Sequence, residues 1–259
     1  MSRQFIKLLR THQPITFTVA NTVTSSKVAD ALGALGASPI MSVEVQEARE
    51  LVKVAQAVVL NLGTPTKQLK TELATVAQAA NQTNTPLVLD PVACGSTAFR
   101  LQLARQLLST HHFTIIRGNA GEIASLVGID WHNHGIDAGI GHDDPSAIAK
   151  RCAIKYQTTV VLSGDQDIIT DGQQVFKNSQ STRWLTVNVG AGDILSSVIG
   201  ALLGVGADPL TAGLIACRII TTAGIRAGKG ATGLGNWQAH FLDELSRISD
   251  KDLAPEMSN

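Results

Sequence analysis

Short runs that are apolar at almost every position alternate with longer stretches whose apolar residues recur at helical spacing. The first kind covers Ile15–Val19, Ala57–Leu62, Leu87–Asp90, Thr114–Arg117 and Thr159–Ser163. Segments such as AVVLNL, PLVLD, FTIIRG and TVVLSG offer no polar face, as expected of strands covered by helices on both sides. The helical stretches are Thr24–Leu35, Val45–Val54, Thr66–Asn81, Ala98–Ser109, Ala120–Val127, Pro145–Tyr156, Ala191–Val205, Pro209–Ala227 and Asn236–Arg247. This alternation predicts an α/β fold of three layers, a mostly parallel central sheet with helices on both faces. Asp167–Thr170, Gln174–Lys177 and Trp184–Val187 read as further, polar-edged strands, and Asp171-Gly172 predicts a hairpin turn between the first two. No repeat, linker or low-complexity tract breaks the pattern, so residues 1–259 read as a single domain.

Composition narrows the class. Charged residues make up 16% of the 259, against roughly 25% in an average soluble protein. Low charge and many small residues suit close helix–sheet packing and burial of surface against further copies of the chain. The formal net charge is zero, which gives nucleic acid or an anionic membrane nothing to attract. Cys94, Cys152 and Cys217 are odd in number and far apart, so they predict neither a disulfide framework nor a zinc pair, and fit a reducing cytoplasm. The N-terminal MSRQFIKLLRTHQ lacks the apolar core and cleavage site of a signal peptide. The apolar stretch Ile194–Val205 is too short to span a bilayer. The seven histidines lack zinc-site spacing and read as surface residues.

In an open α/β sheet, ligands gather beyond the carboxyl ends of the strands. Asn21, Asn61, Asp90, Arg117, Asn119, Glu122, Ser163 and Asp193 stand at such ends and are the candidates for chemistry. The sharpest motif is Val189-Gly190-Ala191-Gly192-Asp193, which opens a helix of small and apolar residues. Gly190 and Gly192 leave backbone amides uncovered for a phosphate, and the helix start adds free N–H groups and a positive dipole end. There Asp193 is placed to accept a hydroxyl proton as an O–P bond forms. The plainer reading is that Asp193 only caps the helix.

Asn119-Ala120-Gly121-Glu122 follows the strand FTIIRG. Glu122 suits a Mg²⁺ ion held through water, with phosphates supplying the other ligands. The same spacing is also that of a capping box, in which Asn and Glu satisfy each other's backbone. Arg117, two residues upstream, suits phosphate recognition or a strand-end salt bridge. Asp90-Pro91 offers either a metal-side carboxylate or an ordinary turn. Cys94 reads as a small filler, and Met41 on its own as a core methionine.

Taken in order, Asn21-Thr-Val-Thr, Gly36-Ala-Ser-Pro-Ile-Met41, Asp90-Pro-Val, Ile116-Arg-Gly-Asn-Ala-Gly-Glu122, Gly190-Ala-Gly-Asp193 and Leu195-Ser-Ser resemble the hydroxyethylthiazole kinases. The resemblance runs from about Asn21 to Leu245. It implies a ribokinase-like fold and ATP- and Mg²⁺-dependent phosphorylation of 4-methyl-5-(2-hydroxyethyl)thiazole in thiamine biosynthesis and salvage. By this resemblance Met41, the Gly190 backbone and Asn21 meet the thiazole. Arg117, Ser163, Asn119 and Gly192 meet ATP, Glu122 and Asp90 surround the metal, and Asp193 is catalytic. It also implies a homotrimer with active sites between subunits.

The chain departs from that family's usual pattern in three places. Asp193 stands where cysteine is common, and matches the wider sugar-kinase superfamily instead. Ser163 replaces a threonine but keeps the hydroxyl, and Ala93-Cys94 replaces a Gly-Ala pair. Rival readings are a hydroxymethylpyrimidine or pyridoxal kinase, an NAD(P)H-hydrate dehydratase, or a catalytically silent binding protein on the same fold.

Overall fold

The structure, a computed structural model, describes residues 4–134, 137–140 and 144–253. The chain runs α1 (Phe5–His12), β1 (Ile15–Val19), α2 (Ser25–Leu35), β2 (Ser38–Met41), α3 (Ala48–Val54), β3 (Ala57–Asn61) and α4 (Lys67–Thr83). Next come β4 (Leu87–Asp90), α5 (Ala98–Thr110), β5 (Ile115–Asn119), α6 (Ala120–Val127), β6 (His132–His134), β7 (Asp137–Ile140) and α7 (Pro145–Tyr156). The last part holds β8 (Thr159–Ser163), β9 (Asp167–Thr170), β10 (Val175–Asn178), α8 (Arg183–Val187), α9 (Ala191–Gly204), α10 (Pro209–Gly228), α11 (Leu234–Arg247) and a 3₁₀ turn at Asp250–Leu253.

Eight strands form one sheet in the order β10-β9-β8-β5-β4-β3-β1-β2. From β2 to β8 all neighbours are parallel; the β8–β9 and β9–β10 pairings are antiparallel, so β9 alone runs against the rest. Because strand side chains alternate between faces, each apolar run serves two cores. Val58, Leu60, Leu89, Ile116 and Leu162 point into a core shared with α3 to α7. Ala57, Val59, Val88, Ile115 and Val161 point into a second core with α1, α2, α9, α10 and α11. That second layer packs closely because two helix glycines face the sheet. A β-carbon on Gly200 would lie 2.8 Å from Val59 Cγ2, and one on Gly213 would lie 2.7 Å from Val161 Cγ2. Among the described residues α10 is long and apolar enough to cross a membrane, but here it is a core helix with Ala212, Ala216 and Ala223 fully buried.

The expected three-layer α/β arrangement is therefore present, and the β9–β10 hairpin turns at Asp171-Gly172, with Gly172 at φ 96°. One expected strand is not. Trp184–Val187 lies in helix α8, because a short apolar run carries no period that separates strand from helix. The helix is seated by small residues on α10: β-carbons on Gly224 and Gly228 would meet Leu185 Cγ at 3.1 Å and Trp184 Cδ1 at 3.0 Å. Trp184 also stacks on Trp237, with ring centroids 6.2 Å apart. Elements α1 and β2 and the β6–β7 pair were not expected. His12 and His112 are exposed as anticipated, while His111 and His240 are partly buried. The side chains of His132, His134 and His142 lie outside the described residues.

Candidate active site

The parallel strands deliver their polar last residues to one edge, and α9 begins over that edge. Asn21 follows β1, Asn61 ends β3, Asp90 ends β4, and Ser163 ends β8. Asp193 is the third residue of α9. It does not cap that helix: Gly190 occupies the cap position at φ 97°, with no side-chain cap. Instead the Asp193 carboxylate turns to the sheet. Its Oδ2 accepts from Asn21 Nδ2 at 2.9 Å and from the Thr24 hydroxyl. Its Oδ1 accepts from Asn61 Nδ2 at 2.9 Å.

Both amides are themselves oriented by backbone. Asn21 Oδ1 accepts from the N–H groups of Val23 and Thr24 at 2.9 and 3.1 Å. Asn61 Oδ1 accepts from Gly63 N–H at 2.8 Å. The carbonyl ends being engaged, only the NH₂ ends are left to face Asp193. Gly63 fits there because a β-carbon would lie 2.6 Å from Asn21 Cβ.

The two glycines of the Gly190–Asp193 loop have a second reason beyond bare amides. A β-carbon on Gly190 would lie 2.8 Å from Thr24 Cγ2, and one on Gly192 would lie 2.2 Å from Arg117 Nη1. The space they vacate is thus filled by Thr24 and Arg117.

Arg117 is nearly buried between the loop and the sheet. Its Nη2 donates to Ser163 Oγ at 2.5 Å, and its Nη1 stands 3.5 Å from Asp90 Oδ2. Asp90 Oδ2 also accepts from Ser196 Oγ of α9 at 2.7 Å. Burial opposes the charge on Arg117, but Asp90, Glu122 and Asp193 outweigh it and hold its pKa above the usual value. Burial raises the pKa of Asp90, and the Asp193 and Glu122 charges add to this against the pull of Arg117 and Ser196. Asp90 Oδ1 and Arg117 Nε are buried without a hydrogen-bond partner.

Glu122 does form the capping box. The Asn119 side chain accepts from Glu122 N–H at 2.9 Å, and Glu122 Oε2 accepts from Asn119 N–H at 2.8 Å. Glu122 Oε1 accepts from Ala93 N–H at 2.7 Å, which ties the Asp90-Pro91 turn to α6. Burial nonetheless raises its pKa. Cys94 is buried and donates its thiol to the Glu122 carbonyl at 3.3 Å, in keeping with a filler role.

Asn21, Asp90, Arg117, Ser163, Gly190, Gly192 and Asp193 are thus brought together, with Asn119 and Glu122 on the flank. Met41 stands apart, at the end of edge strand β2 beside Thr18. Thr24 and Ser196 were missed: the first looks like the opening of a helix, the second like one serine in a helix interior. Among the described residues no three His, Cys, Asp or Glu side chains cluster closely enough to cage a metal.

The eight-stranded, mostly parallel sheet with helices on both faces places the chain in the ribokinase-like class of folds. The pyridoxal kinase of Bacillus subtilis shares the fold at a TM-score of 0.63 and 17% identity, over 83% of this chain and 92% of that one. A structure of hydroxyethylthiazole kinase from Pyrococcus horikoshii OT3 superposes far better, at a TM-score of 0.88 and 29% identity, covering 96% of this chain and 93% of that one. The hydroxyethylthiazole kinase of Limosilactobacillus reuteri is 48% identical over 96% of this chain and 91% of its own length. That of Lactiplantibacillus plantarum is 48% identical over 98% and 97%. The Hydroxyethylthiazole kinase family model matches residues 6–251. The chain belongs to that family.

Proposed function

We propose that this enzyme transfers the γ-phosphoryl group of ATP to the hydroxyl of 4-methyl-5-(2-hydroxyethyl)thiazole, as a step of thiamine biosynthesis and salvage. The observation that carries the reading is Asp193: a carboxylate aimed by three neutral donors at the mouth of a helix start that has no side-chain cap. The α9 amides and dipole end receive the phosphoryl oxygens. Arg117, set by Ser163, neutralises charge on the phosphates. Asp193 accepts the alcohol proton as the oxygen attacks phosphorus. Asn21 and Gly190 border the alcohol, and Asn119 and Gly192 border the nucleotide.

The site suits Mg²⁺. Three carboxylates, Asp90, Glu122 and Asp193, act on one guanidinium, so a cation relieves an excess of negative charge. Asp90 Oδ1 is buried and unpaired. Asp90 and Glu122 would hold the ion through water, since Mg²⁺ keeps several waters beside phosphate oxygens rather than a protein cage. It would supply neutralisation of the charge on the phosphates.

The reading extends to a cytoplasmic homotrimer in which Met41 of one subunit borders the pocket served by Asp193 of another. Exposed valines beside the site favour burial by a further copy: Val23 is 63% exposed, Val187 55% and Val189 53%. Three buried, unpaired cysteines are at home in a reducing compartment. The deciding experiment measures ATP turnover with the thiazole alcohol, hydroxymethylpyrimidine, pyridoxal and no acceptor. The thiazole alcohol is expected to give the highest kcat/KM, and a preference for either other alcohol sinks the assignment. For the shared pocket, Met41→Asp and Asp193→Asn subunits refolded together should regain activity that neither has alone.

A further inference from the structure

The two oxygens of Asp193 are not equivalent. Oδ2 accepts two hydrogen bonds, from Asn21 and the Thr24 hydroxyl, while Oδ1 accepts one, from Asn61. A carboxylate oxygen has about two acceptor sites, so Oδ2 is filled and Oδ1 keeps one free. We propose that Asn61 and Thr24 are positioning residues that select Oδ1 of Asp193 as the atom receiving the substrate proton. The inference rests on Asp193 acting as the base.

The step balances without any further reagent. The alcohol oxygen forms its bond to the γ-phosphorus as that phosphorus parts from the β–γ bridging oxygen, whose bonding pair leaves with ADP. The alcohol proton passes to Oδ1. Asn61 reaches that oxygen from β3 and is anchored by Gly63 N–H, so it fixes the carboxylate's rotation without blocking the last acceptor site. Thr24 closes Oδ2 from the opposite side, through the loop that leads from β1 into α2. Neither residue carries a charge, so neither competes with the phosphates.

Asn61→Ala removes one donor to the ionised base. It is expected to lower kcat on the order of tenfold, to leave KM for ATP within about twofold, and to move the acid limb of the kcat–pH profile up by about one pH unit, the scale of one hydrogen bond to a carboxylate. Asn61→Asp keeps the shape and the acceptor for Gly63 but sets a second carboxylate against Oδ1. It should move the acid limb further up, because two adjacent carboxylates share a proton. Thr24→Val should lose more kcat than Thr24→Ser, which keeps the hydroxyl.

An acid limb unmoved in both Asn61 variants overturns the proposal, whether kcat is kept or has fallen together with melting temperature. Asp193→Asn separates the two levels of the argument. Wild-type turnover in that variant removes the base itself. A slow Asp193→Asn alongside Asn61 variants of unaltered profile leaves the base standing and removes only the choice of oxygen.

Discussion

Helices α6 and α9 begin with nearly the same four residues, Asn119-Ala-Gly-Glu122 and Gly190-Ala-Gly-Asp193, and use them in opposite ways. In both the acid is the third helical residue, where a carboxylate can reach back to the cap N–H. Glu122 does so, and Asn119 answers, which closes the α6 start upon itself. At α9 the cap is glycine, with no side chain to answer, and Asp193 turns to Asn21, Thr24 and Asn61. One residue at the cap position and one methylene in the acid therefore separate a closed helix start from an open one. The α9 start thus carries no side-chain cap, and its carboxylate faces the sheet.

The largest expected effect tests the open end. Asp193→Asn should lower kcat on the order of 10²–10⁴-fold, the usual worth of a general base, with KM for ATP nearly unchanged. Steady-state kinetics check it, and wild-type turnover would mean that Asp193 is only structural. Next is Gly192→Ala. Its methyl would lie 2.2 Å from Arg117 Nη1 and must push the guanidinium off Ser163 and Asp90. Losing a charged hydrogen bond of about 1.5–3 kcal/mol predicts a rise in KM for ATP of roughly 10- to 150-fold. A KM equal to that of wild type would show that Arg117 is not held in place for the nucleotide.

The closed end responds through stability. Glu122 accepts two backbone N–H groups, one on each oxygen. Glutamine offers a single acceptor, so Glu122→Gln sets an NH₂ against a buried backbone donor. That should cost about 1–3 kcal/mol, a melting temperature lower by several degrees in a chain of this size. A lost melting temperature therefore does not exclude a role beside the metal. The magnesium titration of turnover measures that role separately, and an unaltered titration would confine Glu122 to its capping box.

Much of this was legible because apolar runs and strand-end polar residues mark a parallel sheet and its ligand edge. What local pattern cannot supply is strand order. Asn21 and Asn61 meet over Asp193 only because β1 lies beside β3, with β2 outside it. Nothing in the spacing of residues 21, 24, 61 and 193 announces that neighbourhood. Strand β2 went unseen because four residues that include a proline make a poor strand by composition, and an edge position tolerates the missing N–H. The capping box and the metal-side carboxylate share one spacing, so only the observed bonds of Glu122 show that the box forms.

Another carboxylate, away from both helix starts, calibrates these two. Glu72, inside α4, has both oxygens buried with no hydrogen-bond partner, where Asp193 has side-chain donors and Glu122 has backbone donors. Burial pushes its pKa up from 4.5 to about 7, and the charges of Glu44 and Glu47 push the same way. Between those two values the folded chain keeps a proton that the unfolded chain has lost. Stability therefore falls as pH rises through this window and stays lower above it. Glu72→Gln keeps the size and the helix propensity but never ionises. Its melting temperature should be close to that of wild type below pH 4.5, and the variant should gain on wild type as pH rises toward 8. Thermal melts of both proteins at pH 5 and pH 8 read the difference, expected to be a few degrees. An equal gap at both pH values would mean that Glu72 stays ionised in the fold and has a partner after all. A carboxylate without donors would then no longer be the weakest of the three, and the contrast would reduce to the two helix starts.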